Sequence, residues 1–67
     1  MRVSINGEDH ILDDKPAHLD EMLTTLGHEL SRVAVEKNGA LVPRATRKDV
    51  GVDEGDAFEV VSLVGGG

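Results

Sequence analysis

The sequence predicts an α+β domain in which a single helix packs on one face of a mixed sheet of four to five strands. Three features lead to this prediction: apolar residues alternate with polar ones near both ends of the chain, two Asn-Gly dipeptides are typical of tight hairpins, and one stretch carries apolar residues at helical spacing. The predicted order is two strands, a helix and three strands. Without an internal repeat or linker, the 67 residues are expected to form one domain over residues 1–64, followed by a glycine tail at 65–67.

The first strand is predicted from Val3 and Ile5, which alternate with polar residues as in a strand with one buried face. Asn6-Gly7 follows at once and tolerates the positive φ angles of a tight turn. Residues 8–13 are therefore expected to return as a second strand. The chain then leaves this hairpin through an acidic loop that reaches Pro16.

The helix is predicted from four apolar residues on one stripe, at positions i, i+3, i+4 and i+7: Leu19, Met22, Leu23 and Leu26. His18 is the candidate N-cap, and Glu21 supplies half of a capping box. Gly27 is expected just beyond the C-cap. We therefore expect one amphipathic helix whose apolar stripe faces the core.

The second half of the chain predicts three more strands. Val33 and Val35 begin the third, Asn38-Gly39 predicts a second hairpin, and Pro43 ends the short fourth strand because it lacks a backbone donor. Residues 44–49 are polar and mixed, which predicts a turn or one loop of helix.

The last strand carries apolar residues on both of its faces. Phe58 and Val60 share one face, whereas Val61 and Leu63 share the other. Alternation alone leaves open which pair belongs to the core. We take Val61 and Leu63, with Val64, as the candidate docking surface for a partner, and ordinary core packing is the alternative.

Charge and composition narrow the classes of function. The chain has 13 acidic and 7 basic side chains, and the net charge of −6 disfavours nucleic acid and anionic membranes and suits the basic surface of a protein partner. The lack of cysteine excludes a disulfide scaffold, a thiolate metal site and a cysteine nucleophile. The sequence contains no apolar run long enough to form a signal peptide or a membrane span. We therefore expect a complete cytoplasmic protein.

The remaining polar residues are interpreted as structural. The three histidines lie in different predicted elements without the spacing of metal ligands, so no metal site is expected. Acidic pairs such as Asp13-Asp14 are typical of solvated turns. Arg44, Arg47 and Lys48 form a small basic cluster, which we expect to be a solvated loop rather than an anion site.

Three glycines, Gly65, Gly66 and Gly67, follow the last strand directly. Glycine has no side chain to pack and the most conformational freedom to lose on ordering, so glycines at this place add nothing to stability. Bare backbone can instead enter a narrow channel that side chains would block. The ending therefore predicts a tail that is presented to a partner, and a frayed terminus is the alternative.

The order of elements, the Val42-Pro43-Arg44 step, the Glu54-Gly55-Asp56 turn and the ending Val64-Gly65-Gly66-Gly67 together resemble the ThiS family, the sulfur carriers of thiamin biosynthesis. The resemblance spans essentially the whole chain, and its most specific part is the apolar strand that runs into glycines. It implies the ubiquitin-like β-grasp fold, with the first and last strands parallel at the centre of the sheet. It also implies that the carboxylate of Gly67 is the working group.

The resemblance implies a non-catalytic carrier whose partners perform the chemistry. A ThiF-like enzyme would use ATP and Mg to adenylate Gly67. Gly65 and Gly66 would be the flexible residues that precede Gly67. A sulfur donor linked to a cysteine desulfurase would convert the adenylate to a thiocarboxylate, and a ThiG-like thiazole synthase would accept the sulfur. The chain itself is expected to bind no cofactor, since it has no phosphate-binding glycine loop followed by Lys-Ser or Lys-Thr.

Two other functions stay open at this point. A MoaD-like sulfur carrier for molybdopterin or another thiolation pathway would use the same chemistry, although such chains tend to carry prolines before the glycine pair, where this one has Ser62-Leu63-Val64. A β-grasp adaptor that binds partners non-covalently would never have its tail activated.

Overall fold

The computed structural model of the chain describes residues 1–63, and the predictions for Val64, Gly65, Gly66 and Gly67 lie outside these residues. The described part contains a five-stranded sheet, one α-helix and two short 3-10 helices. In chain order the elements are β1 (Arg2–Ile5), β2 (Glu8–Ile11), α1 (Leu19–Thr25), a first 3-10 helix (Leu30–Arg32), β3 (Val33–Lys37), β4 (Ala40–Val42), a second 3-10 helix (Arg44–Asp49) and β5 (Ala57–Ser62).

The strands lie in the order β2-β1-β5-β3-β4, so that the last strand in the chain occupies the middle of the sheet. β5 runs parallel to β1, with Ser4 opposite Ala57, and antiparallel to β3, with Val35 opposite Val60. The two hairpins supply the antiparallel outer pairs. The mixed α+β sheet and its parallel pair of first and last strands are thus confirmed, and the architecture is the β-grasp fold.

One face of the sheet is covered by α1, whose predicted apolar stripe is confirmed. Leu19, Met22 and Leu23 are fully buried, while Leu26 forms the C-cap at the edge of the core. Gly27 follows with a φ of 89°, as expected of the residue beyond a C-cap. The strands complete the core with Val3, Ile5, Val33, Val35, Val42, Phe58 and Val60, and the loops add Leu12 and Val52.

The start of α1 is capped largely as predicted. Nδ1 of His18 accepts a hydrogen bond from the backbone N–H of Glu21 at 3.1 Å, so the imidazole replaces the usual hydroxyl or carboxylate. The carboxylate of Glu21 accepts from the N–H of Ala17 at 3.1 Å. In a standard capping box this carboxylate would accept from the N–H of the N-cap residue, which here is His18. The bond goes instead to the residue before it.

Both predicted Asn-Gly turns are confirmed, and each also supports β5. Asn6 and Asn38 have φ angles of 52° and 51°, and the glycine after each is also left-handed. The amide of Asn6 accepts from the N–H of Val60 at 2.7 Å and donates to its carbonyl at 3.1 Å. The amide oxygen of Asn38 accepts from the N–H of Ala57 at 2.9 Å. The two turns therefore hold the central strand at its start, Ala57, and near its middle, at Val60.

The expectation that Arg47 lies in a solvated loop is wrong. The second 3-10 helix turns this side chain inward, and Arg47 is 1% exposed. Its guanidinium donates to the carbonyls of Val33 and Leu30 at 2.9 and 2.7 Å. These partners lie 14 and 17 residues away in the chain, so local polarity gave no sign of them. Arg44 and Lys48 are exposed, as predicted.

Strand β2 is shorter than predicted and ends at Ile11 rather than near residue 13. Leu12 turns into the core, whereas Ile11 points away from it and is largely exposed. The two aspartates that follow are poor strand formers, which explains the early end. In the part of the chain that the structure describes, no helix has the length and apolar character needed to cross a membrane.

Candidate functional site

Strand β5 lies in the middle of the sheet and leads to the C-terminal glycines that are predicted to react. The strand itself ends at Ser62, which pairs with Val33 of β3. One residue later, the N–H of Leu63 donates to the carbonyl of Arg32 at 2.7 Å. This is the last backbone hydrogen bond that the structure describes before the glycines, and it anchors the base of the tail to the first 3-10 helix.

The structure settles which face of β5 belongs to the core. Phe58 and Val60 are buried under α1. Val61 and Leu63 are 58% and 46% exposed on the opposite side of the sheet, which no element of residues 1–63 covers. The candidate docking residues Val61 and Leu63 are therefore accessible, and the core alternative for them is wrong. Val64, the third, lies outside the described residues.

Neighbouring strands extend the exposed apolar surface around Val61. Ala34 of β3 lies opposite Val61 in the β3–β5 register, and Leu41 of β4 is 68% exposed on the same side of the sheet. We call the four residues Ala34, Leu41, Val61 and Leu63 the open-face patch. Three of these residues are exposed and Ala34 is half-buried, and exposed apolar side chains grouped in this way are typical of a protein interaction site.

The Leu41-Val42 pair predicts a short strand but does not indicate which of the two residues faces the core, so the sequence alone does not identify Leu41 as a surface residue. Val42 is buried in the core, and alternation therefore places Leu41 on the opposite face. Ala34, between the buried Val33 and Val35, follows from the same rule.

The surroundings of the patch are polar and of both signs. Glu36 of β3 pairs with Leu41 of β4 and with Glu59 of β5. The carboxylates of Glu36 and Glu59 therefore lie beside the patch. A small cavity of about 160 Å³ lies at the other end, where Leu41 and Leu63 meet Pro43 and Arg44. The apolar patch is thus bordered by two carboxylates at one side and by Arg44 near Leu63.

A second cavity of about 350 Å³ lies away from Leu63, between the end of β2 and α1. Leu12, Met22 and Leu26 form its apolar wall, and Asp13 and Asp14 lie at its mouth. The end of β2 pairs with the start of β1, which runs parallel to β5, so this cavity is at the end of the sheet opposite Leu63. It takes no part in the candidate site.

The turn that starts β5 is held by one carboxylate, that of Asp56. Its oxygens accept from the N–H of Asp53 at 2.8 Å and from the amide of Asn38 at 3.1 Å, and the ammonium of Lys37 lies 3.4 Å away. Burial opposes ionisation and on its own would raise the pKa of Asp56. The hydrogen bonds and Lys37 outweigh burial, and the pKa of Asp56 is lowered from its ordinary value of 3.8.

The acidic and histidine side chains do not converge on a metal site within residues 1–63. No three of them lie close enough together to hold a metal ion in that part of the chain. What the described residues offer is a rigid strand, an accessible apolar surface beside its end and an anchored base for the tail. These are features of a protein that is recognised by other proteins.

The family model of the ThiS family matches residues 2–67 of the chain. The chain belongs to the ThiS family. The match extends beyond the described residues and covers all three terminal glycines.

Solved structures agree with the family assignment. The ThiS-family chain superimposes on the crystal structure of the thiamine biosynthesis protein ThiS from Geobacter metallireducens with a TM-score of 0.84, at 30% sequence identity and with full coverage of both chains. A solution structure of a thiamine biosynthesis protein from the same organism gives a TM-score of 0.80, over 100% of this chain and 88% of the other.

Similar sequences fall into two groups. Two are thiazole synthases, from Paramagnetospirillum magneticum and Magnetococcus marinus, which are 36% and 40% identical over all 67 residues. The ThiS-family chain spans only 20% of the length of each of them. The uncharacterized protein ycf40 of Pyropia yezoensis is 37% identical, and here the match covers 93% of the other protein.

Proposed function

We propose that the chain is a sulfur carrier, not itself an enzyme, whose terminal carboxylate on Gly67 is adenylated and then converted to a thiocarboxylate for synthesis of the thiamin thiazole. The observation that supports this most is the family match, which runs from residue 2 through the last glycine. The fold adds a physical reason, because the central strand places the base of the tail beside an exposed apolar surface.

The chemistry begins with a poor electrophile. A terminal carboxylate has a pKa of about 3.5 and is an anion near neutral pH. Attack of its oxygen on the α-phosphorus of ATP releases pyrophosphate and forms an acyl adenylate. Hydrosulfide then adds to the carboxyl carbon, AMP leaves with the C–O bond electrons, and a thiocarboxylate and a proton result. ATP and its Mg belong to the activating enzyme in this proposal.

The tail residues have separate roles. Gly67 supplies the reacting carbon, and Gly65 and Gly66 lead it into a narrow channel of the partner. Residues without side chains suit such a channel, because they add no bulk and adopt extended or left-handed backbone equally well. The rigid part of the carrier then docks on the outside.

The open-face patch is the docking surface in this proposal. Val61 and Leu63 supply apolar contact area next to the tail, and Leu41 widens it across the sheet. Glu36 and Glu59 at its side suit a partner with basic groups around an apolar centre. The net charge of −6 would speed the encounter with such a surface.

Three partners follow from the proposed reaction. A ThiF-like enzyme activates the carboxylate, a donor linked to a cysteine desulfurase brings sulfur, and a ThiG-like thiazole synthase accepts it. The last of these has independent support. In two bacterial proteins called thiazole synthase, a segment similar to this whole chain is part of the same polypeptide.

The test is direct formation of the thiocarboxylate. The chain is incubated with ATP, Mg, a ThiF-like enzyme and sulfide, and the intact mass is expected to rise by the difference between one sulfur and one oxygen. Oxidation of Met1 or Met22 adds nearly the same mass, so a second readout is needed. A thiol-selective alkylating reagent provides it, because the chain has no cysteine and only the thiocarboxylate would be labelled.

The label should map to Gly67 by fragmentation and should be absent without ATP. If the activating enzyme modifies its own known carrier under the same conditions but leaves this chain unlabelled, the carrier proposal fails and a non-covalent adaptor is favoured. If the thiocarboxylate forms but thiazole synthase does not consume it, a MoaD-like carrier or one from another thiolation pathway is favoured.

A further inference from the structure

Four consecutive backbone carbonyls, those of residues 30–33, each accept a hydrogen bond from Leu63 or from an arginine side chain, and we call this segment the cradle. The carbonyl of Arg32 accepts from the N–H of Leu63 at 2.7 Å. Arginine side chains bind the carbonyls on both sides of it. The carbonyl of Ser31 accepts from Nη2 of Arg44 at 3.0 Å, and Arg47 binds the other two through Nη2 and Nη1 at 2.7 and 2.9 Å.

The cradle lies where β5 has lost one of its two neighbours. The parallel pairing of β1 with β5 ends at Phe58, and the side chain of Asn6 continues it only as far as Val60. Beyond Val60, the described hydrogen bonds of β5 all go to β3 or to the cradle. The hydrogen bond from Leu63 to the carbonyl of Arg32 is therefore the last described backbone bond that holds this end of the chain to the sheet.

The two arginines are suited to fix the orientation of the cradle carbonyls. A guanidinium presents several N–H groups in one rigid plane, so Arg47 can hold the carbonyls of Leu30 and Val33 at a fixed separation. Asp20 of α1 lies 2.9 Å from Nε of Arg47 and connects this group to the helix. Arg44 binds the carbonyl of Ser31 from the solvent side, since the side chain of Arg44 is exposed.

We infer that Arg44 and Arg47 are positioning residues for the carrier's working terminus. They hold the cradle so that Leu63 stays attached and the glycine tail starts from a fixed point relative to the docking surface. This inference rests on the proposed function, since it supposes that the terminus must reach a site in a docked partner. In this inference the arginines position the C-terminus and do not form the docking surface, because the open-face patch consists of other residues.

Arg44 gives the cleaner test, since one exposed hydrogen bond is lost and the buried ion pair stays. In Arg44→Ala, the amide hydrogen of Leu63 should exchange about fivefold faster, the effect of losing about one hydrogen bond, and the free energy of unfolding should fall by no more than the same amount. Lys48→Ala is the matched control. Lys48 lies on the same 3-10 helix and is exposed, and its side chain makes no hydrogen bond or ion pair to any residue in 1–63.

The functional readout is adenylation by a ThiF-like enzyme with the carrier as the varied substrate. Arg44→Ala should lower kcat severalfold with little change in KM, because docking is intact and fewer docked carriers present their carboxylate correctly. Arg44→Lys, which keeps a donor and the charge, should restore most of kcat. Lys48→Ala should behave as the unmodified chain.

Other results overturn the inference. A raised KM with unchanged kcat would mean that Arg44 contacts the partner directly. Unchanged exchange at Leu63, or equal effects in Lys48→Ala, would mean that the cradle does not depend on Arg44. The exchange measurement needs no partner, so it tests the cradle even if the unmodified chain is never adenylated, an outcome that would count against the proposed function alone.

Discussion

Nε of Arg47 lies 2.9 Å from Oδ1 of Asp20, and both side chains are withdrawn from solvent. The N–H does not point along the line to the oxygen, so the contact is an ion pair without an aligned hydrogen bond. The pair connects the second 3-10 helix to α1, the only α-helix in the described residues. Loss of one partner from a buried pair costs far more than the pair itself contributes, because a charge is left without compensation.

Arg47→Met should therefore lower the free energy of unfolding by about 3–5 kcal/mol. Urea denaturation followed by circular dichroism measures this. The double variant Asp20→Leu/Arg47→Met removes both charges and should recover a large part of the loss. A single variant within about 1 kcal/mol of the unmodified chain, the size of one ordinary hydrogen bond, would show that the pair does not stabilise the fold.

Val61→Ser should weaken docking without affecting the fold. Loss of an apolar contact at the centre of an interface typically costs more than 1 kcal/mol, so KM for the carrier in adenylation should rise about tenfold. Ile11→Ser is the matched control, because Ile11 is 66% exposed on the far edge of the sheet. Equal changes in KM for the two variants would argue against the open-face patch as the docking surface.

Gly66→Val, or removal of Gly67, should leave stability unchanged and abolish adenylation. A branched side chain would block a narrow channel, and a shortened tail would fall short of the reacting site. Gly51→Val controls for the substitution itself, since a side chain at Gly51 would meet nothing within 4 Å. Pyrophosphate release and intact mass report the result. Adenylate formation at the rate of the unmodified chain in either tail variant would remove the basis for the carrier role.

Asp56→Asn should change how stability depends on pH. The pKa of Asp56 is lowered in the folded protein, so its carboxylate stabilises the fold above the ordinary pKa of 3.8, and that contribution is lost as the pH falls through the folded value. Near neutral pH the variant should be less stable by about 1–2 kcal/mol, since hydrogen bonds to a charged group are lost. Below pH 3.8 the difference should shrink.

Urea midpoints for the two proteins across this pH range provide the measurement. Asp14→Asn serves as a control, because Asp14 is exposed and makes no hydrogen bond within residues 1–63. A stability difference for Asp56→Asn that stays constant from neutral to acid pH would contradict the assigned ionisation.

The sequence was sufficient for features that depend on neighbours in the chain. Alternation and the Asn-Gly turns predicted the strands, and the spacing of leucines predicted α1. Features that depend on distant partners were not predictable. Alternation cannot say which face of β5 is covered, because that depends on where α1 packs. Nothing near Arg47 indicates that its acceptors lie at Leu30 and Val33, and Asn6 is 54 residues from the Val60 that it binds.

The parallel pairing of β1 and β5 also has a mechanical consequence. In the proposed reaction, a partner that draws the tail into a channel would pull on β5 along the strand axis. β5 pairs with β3 over five residue pairs, and on its other side the N–H groups of Ser4 and Asn6 donate to the carbonyls of Asp56 and Phe58 at 2.9 Å. Tension along this strand loads those bonds together in shear, instead of opening them one at a time as in the peeling of an edge strand. The carrier should therefore withstand repeated insertion and withdrawal of its terminus while the domain stays folded.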